Sequence, residues 1–392
     1  MRYTIGQLAE IIDGDRGKNY PKQDEFYPQG YCLFLNTGNV TKEGFIFEEN
    51  QFIMKEKDEA LRKGKLKRGD IVYTTRGTVG NAGYYNSSVP YENVRINSGM
   101  VILRSNGEIV DARFLYQILK SEYYRPYFKQ YCTGSAQPQL PIKNFSQIYL
   151  NVPDIKTQHR IADILSVYDN LIENNQKQIK LLEEAAQRLY KEWFVDLRFP
   201  GHENTKIVDG VPEGWNTCPF SSKVDIMSGG TPKTSIPDYY NGRIPFYTPK
   251  DSDGAFFAYK TQINITEGGL KNCNSRLYPP KTVIITARGT VGKTTILAVP
   301  MAMNQSCYAL KMKENDAPYY LFFALNNEIK ALQTMANGGV FNTIIGKTFD
   351  SINIQIPKDP LIYGFEKTVR PFMEQIKNKL QANSKLVEAR NR

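Results

Sequence analysis

A five-residue segment that occurs twice most constrains the fold of this chain. RGTVG fills residues 76–80 and again 288–292, a separation of 212 residues. Runs rich in β-branched residues at 69–75 and 281–287 precede the two copies and predict a strand before each. Similarity that extends beyond a motif at constant spacing indicates an internal duplication. We therefore predict two copies of one domain in these 392 residues, each long enough to bury its own core.

The duplication continues downstream, with loops of different length between the matching elements. DARFLYQILK, from Asp111, matches DAPYYLFFAL, from Asp316, and both segments predict helices with an aspartate N-cap. FSQIYLNVP at 145–153 then matches FDSINIQIP at 349–357, where the separation has fallen to 204. A shared scaffold with variable loops is expected of two domains that share a fold but differ in what they bind.

Each copy runs into a long helix with a heptad pattern. Seam residues follow one another at steps of three and four, which is typical of a coiled coil. The predicted seam residues are Ile161, Leu165, Tyr168, Ile172, Asn175, Ile179 and Leu182 in the first helix, and Phe365, Val369, Phe372, Ile376 and Lys379 in the second. Lys379 falls at the repeat position of Asn175, and a single polar seam residue can fix register. We predict that the helices pair as an antiparallel coiled coil related by a pseudo-two-fold; the alternative is that each packs only on its own domain.

The predicted fold is α+β, with two similar mixed α/β domains in tandem, each followed by a long helix. The predicted boundaries are 1–153 and 200–357 for the domains, and 154–199 and 358–392 for the helices. About 36 residues of central helix, up to Trp193, give a rod of roughly 54 Å. Such a rod can act as a ruler on B-DNA, whose turn is about 34 Å. The second helix stops soon after Leu386, about two turns shorter, which leaves part of the central helix for another subunit or a second copy of the chain.

The charge balance favours an anionic partner. Fifty Lys and Arg against forty Asp and Glu leave a net +10, of which +4 falls in 1–153, −1 in 154–199, +3 in 200–357 and +4 in 358–392. A polyanion is a reasonable partner for basic domains, although ordinary solubility charge explains the number equally well.

Cysteine, histidine and apolar content exclude several classes of protein. Five dispersed cysteines suggest reduced thiols in a cytoplasm, not a disulfide framework or a zinc site, and the presence of only two histidines argues against a histidine-based metal centre. Neither an apolar run of membrane-spanning length nor a secretory signal is visible.

The segment ARGTVGKTT at 287–295 looks at first like a nucleotide-binding loop. A Walker A loop requires G-x-x-x-x-G-K-[ST], but the residue five before Gly292 is Ala287. The first copy continues with Asn81 and Ala82, so it lacks both the lysine and the hydroxyl. A P-loop-like nucleotide-binding enzyme therefore stays only as an alternative interpretation.

Taken in order, these features resemble the DNA-specificity (S) subunit of Type I restriction–modification systems, the HsdS-like proteins. The motifs that carry the resemblance are the paired RGTVG segments, VPEGW at 211–215, GGTP at 229–232 with YY at 239–240 and IPF at 244–246, GS at 134–135, VP at 152–153 and QHRI at 158–161. The resemblance covers nearly the whole chain. It implies a non-catalytic subunit that binds a bipartite, asymmetric double-stranded DNA sequence, one half per target recognition domain.

The resemblance also implies partners. Two methyltransferase (M) subunits that use S-adenosylmethionine to methylate adenine would clasp the helices, and restriction/translocase (R) subunits that use ATP and Mg²⁺ would join them. No cofactor or metal is expected in this chain, and the complex is expected in the cytoplasm. The residues agree with a passive role, because the D/N-P-P-Y/F methyltransferase motif and a nuclease carboxylate cluster are both missing from the sequence. A coiled-coil protein-interaction adaptor is the other alternative, but it leaves the duplicated basic domains unexplained.

Candidate DNA-binding residues lie on the RGTVG hairpins and on the loops before and after them. Arg, Lys, Asn and Gln read base edges, while Lys, Arg, Ser and Thr bind phosphates. In the first copy the candidates are Asn36, Thr37, Asn39, Lys42, Arg76, Thr78, Gln137, Gln139 and Lys143; in the second they are Thr231, Lys233, Lys250, Asp251, Arg288, Thr290, Lys293, Asn342 and Lys347. The alternative for RGTVG is that its glycines supply positive φ in a tight hairpin, whether or not DNA is contacted.

Overall fold

The structure, a computed structural model, describes residues 1–134, 137–335 and 344–391. Contacts divide the chain into two compact units, Met1–Leu171 with Leu386–Arg392, and Ile172–Lys385. Each unit therefore contains one globular domain and part of each long helix. The candidate Asn342 lies outside the described residues. In the described ranges, no helix is both long and apolar enough to cross a membrane.

The first globular domain alternates short strands with short helices. Its strands are β1 (Arg2–Thr4), β2 (Glu10–Asp13), β3 (Cys32–Leu35), β4 (Val40–Thr41), β5 (Gly44–Phe45), β6 (Phe52–Ile53), β7 (Ile71–Thr74), β8 (Ala82–Tyr84), β9 (Val94–Ile96), β10 (Met100–Arg104) and β11 (Tyr149–Asn151). Its helices are α1 (Ile5–Leu8), α2 (Lys55–Ala60), α3 (Ala112–Lys120), α4 (Arg125–Lys129) and α5 (Ile142–Ser146). The long helix α6 (Ile155–Tyr190) follows and ends in a π-helical turn, Lys191–Val195.

The second globular domain repeats this order. Its strands are β12 (Ile207–Val208), β13 (Val211–Pro212), β14 (Asn216–Pro219), β15 (Val224–Ser228), β16 (Tyr240–Tyr247), β17 (Phe257–Ala258), β18 (Asn264–Ile265), β19 (Val283–Thr286), β20 (Thr294–Leu297), β21 (Ala302–Met303), β22 (Cys307–Met312) and β23 (Asn353–Ile356). Its helices are α7 (Phe220–Lys223), α8 (Glu267–Lys271), α9 (Pro318–Met335) and α10 (Gly346–Asp350), followed by the long helix α11 (Asp359–Asn391). As α-helices, α11 with 33 residues and α6 with 36 differ by less than one turn, so the predicted difference of about two turns is wrong for them.

The strands of the two domains are arranged in the same way. The first domain has sheets in the orders β2-β10-β7-β8, β6-β3-β9 and β1-β11; the second has β15-β22-β19-β20-β17, β18-β16-β21 and β14-β23. In the middle sheets, β3 pairs with β9 and β16 pairs with β21 in parallel. The prediction of two similar mixed α/β domains is confirmed. The largest sheet of the second domain has one strand more than its counterpart in the first domain, because β17 pairs in parallel with β20.

The strands that lead into RGTVG are β7 and β19, as predicted. Every residue of both strands is buried. Ile71 and Tyr73 pack in one cluster with the α3 residue Phe114, whereas Val72 packs in another with Leu33 of β3. Side chains of successive strand residues point to opposite faces, so a strand covered on both faces is apolar throughout. This is why the run before the motif is so rich in β-branched residues.

The starts of helices α3 and α9 differ, and one predicted N-cap is wrong. Asp111 caps α3 as predicted, because its Oδ1 accepts from the backbone N–H groups of Arg113 (2.7 Å) and Phe114 (3.2 Å). In the second copy Pro318 is the first residue of α9, so the N-cap position falls on Ala317 and not on Asp316. The free N–H of Tyr320 is instead bound by Glu366 of α11, whose Oε1 accepts from it at 2.8 Å.

The Glu366 carboxyl predicts a pH-dependent stability. Glu366 is 2% exposed, and burial raises its pKa from 4.5 to about 7. The folded state therefore binds the proton more tightly than the unfolded state, so this stabilisation is complete below about pH 4.5 and is lost as the pH rises to about 7. The change amounts to about 3 kcal/mol. Glu366→Gln keeps an acceptor for Tyr320, and we expect it to stabilise the full chain more at pH 8 than at pH 5.

Urea unfolding of the full chain at the two pH values measures the effect. Glu184→Gln, at an exposed position of α6, is the control and should shift both free energies of unfolding equally. A difference between Glu366→Gln and the parent chain that is the same at pH 5 and pH 8 would contradict the prediction.

The two long helices run antiparallel in the second unit, as predicted. The Asn175 side-chain amide donates to Asn383 Oδ1 at 2.8 Å, and the ring of Trp193 lies 5.9 Å from that of Phe365. Eighteen residues separate these contacts along each helix, in opposite directions. All of the predicted seam residues are buried or half-buried. This register pairs Asn175 with Asn383 and not with Lys379, its equivalent in the repeat.

The second helix also packs broadly on its own domain, in addition to pairing with the first helix, so the alternative that each helix packs only on its own domain is wrong. Ile362, Met373 and Glu366, which lie beside the seam, are buried along with it. Apolar residues of α11 join the core that contains Tyr320 and Phe323 of α9. The heptad pattern identified the face toward the other helix but not this wider buried face.

Candidate nucleic-acid interface

The two RGTVG segments form the same tight hairpin. Thr74 Oγ1 donates to the carbonyl of Thr78 (2.5 Å) and accepts from the N–H of Asn81 (2.9 Å). Thr286 likewise donates to the carbonyl of Thr290 and accepts from the N–H of Lys293 (3.0 Å). The hairpin glycines have φ values of +69° and +99° in the first copy and +81° twice in the second. These backbone angles favour glycine and explain why the motif recurs.

This geometry overturns the nucleotide-binding alternative. A P-loop joins a strand to the N-terminus of a helix, whose N–H groups bind the phosphates. Here the motif joins β19 to β20, which pair antiparallel as a hairpin. The motif is thus followed by a strand that begins at Thr294, and not by the helix that a P-loop requires.

Two further chain segments flank each hairpin. In the first domain, the carbonyl of Gly99 accepts from the N–H groups of Thr75 (2.9 Å) and Arg76 (3.1 Å), and the N–H of Leu140 donates to the carbonyl of Thr75 (2.9 Å). Arg76 and Gln139 also form an isolated antiparallel bridge. The hairpin therefore lies between the turn at 97–99 and the segment at 137–140.

The second domain repeats these contacts at equivalent positions. The N–H of Ala287 donates to the carbonyl of Ser306 (2.7 Å), and that of Ile344 donates to the carbonyl of Ala287 (2.9 Å). The hairpin of each copy is thus held between the same two segments.

The loop after β3, or after β16, packs beside each hairpin as well. A Cβ added at Gly99 would lie 2.8 Å from Thr37 Cγ2, and one added at Gly77 would lie 3.8 Å from Thr37 Oγ1. In the second domain Thr290 Oγ1 donates to the carbonyl of Pro249 at 3.3 Å. The structure therefore brings together the predicted loops of each domain around its hairpin.

Most of the candidate side chains on this surface are exposed. Thr78, Gln137, Gln139, Thr231 and Thr290 are exposed, Asn36 and Thr37 are half-buried, and Lys42 pairs with Glu122 at 3.5 Å. Among the candidates, the exposed cations that form no ion pair with any described residue are Arg76, Lys143, Lys233, Lys250, Arg288, Lys293 and Lys347. Such cations are suited to DNA phosphates or base edges.

Two candidates hold the loops together instead of facing solvent. Asn39 is 3% exposed, and its amide donates to the carbonyls of Ile46 and Glu49, both at 3.2 Å. Asp251 accepts from the N–H of Thr248 (2.8 Å) and from that of Gln262 (2.7 Å), so its oxygens brace the loop after β16. We assign both residues to loop architecture, because their polar atoms are already satisfied within the protein.

Sequence reasoning missed the loop at 14–18. A Cβ added at Gly14 would overlap the Asn97 carbonyl oxygen, and one added at Gly229 would overlap that of Asn304. The two glycines are therefore equivalent, which aligns Lys18 with the candidate Lys233 and Arg16 with Thr231. The sequence signal is one shared glycine and one shared lysine, too little to align the loops without the structure.

The described residues contain no group of three or more His, Cys, Asp or Glu side chains that could hold a metal ion. The cysteines at positions 32, 132, 218, 273 and 307 are free thiols. The chemistry that this surface offers is hydrogen bonding and positive charge.

A duplicated α/β domain with cationic loops around a hairpin, joined to paired long helices, defines a tandem DNA-recognition protein. The family model of the Type I restriction modification DNA specificity domain matches residues 1–184 and 212–383. The chain belongs to this family, and the resemblance inferred from its motifs is confirmed. Its class is the specificity subunit of Type I restriction–modification systems, which recognises DNA sequence.

Relatives cover most of the chain at low identity. The Type I restriction enzyme HindI specificity subunit of Haemophilus influenzae is 25% identical over 451 aligned positions, covering 99% of this chain and 98% of that protein. The MjaIX specificity subunit of Methanocaldococcus jannaschii is 25% identical and covers 82% of this chain and 75% of that protein. A crystal structure of the Type I S subunit from M. genitalium shares the fold, with a TM-score of 0.61 and 16% identity over 100% of this chain and 94% of that one.

Proposed function

We propose that this chain determines the DNA sequence specificity of a Type I restriction–modification complex. It does so by binding a bipartite, asymmetric DNA site, one half per globular domain. One observation carries this proposal: the same cluster of exposed, cation-bearing loops is built twice on one scaffold, with different residues in the loops. Arg76 and Arg288 occupy the same place in the two hairpins, whereas the loops beside them differ in sequence and length. Two similar domains with different loops can read two different half-sites.

The long helices set the distance between the half-sites and dock the partner subunits in this proposal. Helix α6 contains 36 residues, which corresponds to roughly 54 Å at 1.5 Å per residue. That length supports a gap of one to two turns of DNA, about 34 Å each. Ile164, Val167 and Leu171 are exposed apolar residues on one face of α6, a surface suited to helices of another subunit.

The catalytic subunits are the partners in this proposal. Two methyltransferase subunits with S-adenosylmethionine methylate adenine within the recognised site, and restriction/translocase subunits with ATP and Mg²⁺ cleave DNA. This chain supplies no catalytic group of its own and needs no cofactor. A cytoplasmic location follows, because the complex acts on the DNA of the cell.

Methylome sequencing of cells that express the chain with its methyltransferase subunits tests the proposal. The expected result is one methylated motif with two defined halves and a fixed gap between them. Methylation that follows a single uninterrupted motif, or none that depends on this chain, would refute the assignment of one half-site to each domain.

Substitution of the hairpin arginines should affect different half-sites. We expect Arg76→Ala to weaken binding by about 1–3 kcal/mol and to relax discrimination in one half-site, because an arginine that reads a base carries that much energy. Arg288→Ala is the matched variant and should relax discrimination in the other half. Fluorescence anisotropy with duplexes substituted in each half measures both. A uniform loss for all sequences would identify a phosphate anchor, and no loss would return the hairpin to a scaffold role.

A further inference from the structure

The loop at 14–18, which we call the rim loop, shares its support with the RGTVG hairpin. Arg16 Nη2 donates to the carbonyl of Ser98 at 3.3 Å. The carbonyl of the next residue, Gly99, accepts from the N–H of Arg76 at 3.1 Å. The turn at 97–99 is itself braced, because Asn97 Oδ1 accepts from the N–H of Gly99 at 2.9 Å. The Arg16 guanidinium and the backbone of Arg76 therefore contact adjacent residues of one braced turn.

The rim loop is held in a fixed conformation. Asp15 is 5% exposed, and its two oxygens accept from the N–H groups of Gly17 and Arg62, both at 2.7 Å. These hydrogen bonds to the ionised form help to hold the pKa of Asp15 below its usual value. The loop is thus ordered before any ligand binds, which reduces the entropy that binding would cost.

Arg16 is oriented by a carboxylate while its side chain stays accessible. Its Nη2 lies 3.2 Å from Asp13 Oδ1, and its side chain is 45% exposed. Nε and Nη1 form no hydrogen bond with any described residue, so their donors are available. A guanidinium whose charge is partly neutralised is a poor anchor for phosphate, but an oriented set of donors suits the acceptors of a base edge.

The second domain places different chemistry at the same point. Thr231 occupies the position of Arg16, and its hydroxyl donates to Oε1 of Gln305, the equivalent of Ser98. A glutamine amide offers both donors and an acceptor, whereas a guanidinium offers donors only. The loop lysine, by contrast, is the same in both copies, Lys18 and Lys233.

We propose that Arg16 is a specificity-determining residue that reads a guanine, through its O6 and N7 acceptors, in the half-site bound by the first domain. Arginine is the residue most often found on guanine in the major groove. Asp13 positions the guanidinium, and Lys18 contributes sequence-independent phosphate binding. This inference rests on the proposed DNA recognition and adds a reading element that differs between the two domains.

The test uses the full chain with its methyltransferase subunits and duplexes carrying the methylated motif. Each base pair of the motif is changed in turn, and affinity is measured by fluorescence anisotropy for the parent chain and Arg16→Ala. We expect the parent chain to discriminate about 10- to 100-fold at one guanine. Arg16→Ala should lose that discrimination, while the other half-site and the gap stay unchanged.

Two variants distinguish recognition of a base from sequence-independent binding to phosphates. Lys18→Ala, in the same loop, should weaken binding to all duplexes alike and reduce the dependence of log Kd on log salt by about one phosphate contact. Asp13→Asn removes the carboxylate but keeps its size. We expect it to bind random duplex DNA at least as tightly as the parent chain, yet to discriminate less at the same guanine.

Each outcome supports or overturns the inference. If Arg16→Ala weakens binding to all duplexes equally, Arg16 is a phosphate anchor. If Arg16→Ala retains the full sequence preference of the parent chain, Arg16 takes no part in recognition. Either result overturns the proposal. A motif without a guanine in either half overturns it as well. If the parent complex selects no bipartite motif, the proposed function itself fails. Thermal melting of each variant shows whether it is folded, and an unfolded Arg16→Ala is replaced by Arg16→Gln, which must shift the base preference.

Discussion

Deletion of residues 173–179 together with residues 379–385 is expected to abolish methylation at the parent motif and to shift recognition to sites with a shorter gap. One heptad at 1.5 Å per residue is about 10.5 Å, or about 3 base pairs of B-DNA. The antiparallel register makes these two segments opposite one another, and the Asn175–Asn383 pair is removed as a whole. The heptad phase of both helices continues across the deletion, with Ile172 and Ile376 preceding the new junctions.

Methylome sequencing reports the parent and altered gaps in one experiment. Duplication of the same two segments is the matched variant and should lengthen the gap by a similar amount. Lys180→Ala changes an exposed residue of the same helix without changing its length, and its motif should equal that of the parent chain. A gap that stays the same in the deletion and the duplication would mean that the helix pair does not set the spacing.

The duplication and the helix seam were predictable because each repeats a local pattern. The strand before RGTVG recurs because a doubly covered strand must be apolar throughout, as Ile71 and Val283 are. The seam recurs at heptad spacing because seam positions such as Asn175 and Phe365 face the other helix. The sequence could not show that Asp316 fails to cap α9, because the residue that binds the free N–H of Tyr320 is Glu366, which is distant in sequence. Tertiary contacts of that kind leave no local signal.

The site was predictable only as a set of loops. Asn39 has the composition of a DNA-reading residue, but its amide satisfies the carbonyls of Ile46 and Glu49 within its own loop. Arg16 was not predicted because Ser98, whose carbonyl it contacts, is far from it in the chain. Composition indicates which residues can bind DNA, whereas folding decides which of them are left free to do so.

A buried ion pair in the first domain is absent from the second. Arg95 of β9 is 5% exposed and Asp58 of α2 is 1% exposed, and Arg95 Nε lies 2.5 Å from Asp58 Oδ1. Burial opposes ionisation, but hydrogen bonds from Lys65 and Arg95 outweigh it and hold the pKa of Asp58 below its usual value. The equivalent positions in the second domain are Leu270 and Ala302, which pack in one apolar cluster.

Arg95 also serves the C-terminal end of α2. It donates to the carbonyls of Asp58 (2.7 Å), Leu61 (3.1 Å) and Lys63 (2.7 Å). In the second domain the end of α8 uses a local amide instead, because Asn272 Nδ2 donates to the carbonyl of Gly268 at 2.9 Å. Loss of Arg95 would therefore leave both a buried carboxylate and buried carbonyls without their donor.

Arg95→Met is accordingly expected to cost about 3–5 kcal/mol in the free energy of unfolding, the usual result of breaking a buried ion pair. Lys65→Met is the matched control, because Lys65 pairs with the same Asp58 carboxylate but its side chain is 40% exposed. A solvent-exposed cation of this kind contributes at most about 1 kcal/mol.

Asp58→Leu combined with Arg95→Met should recover part of the loss, since no buried charge then remains. Urea unfolding of the full chain measures all three. Equal costs for Arg95→Met and Lys65→Met would mean that burial does not distinguish the two cations, and strictly additive costs in the double variant would mean that the pair is not coupled.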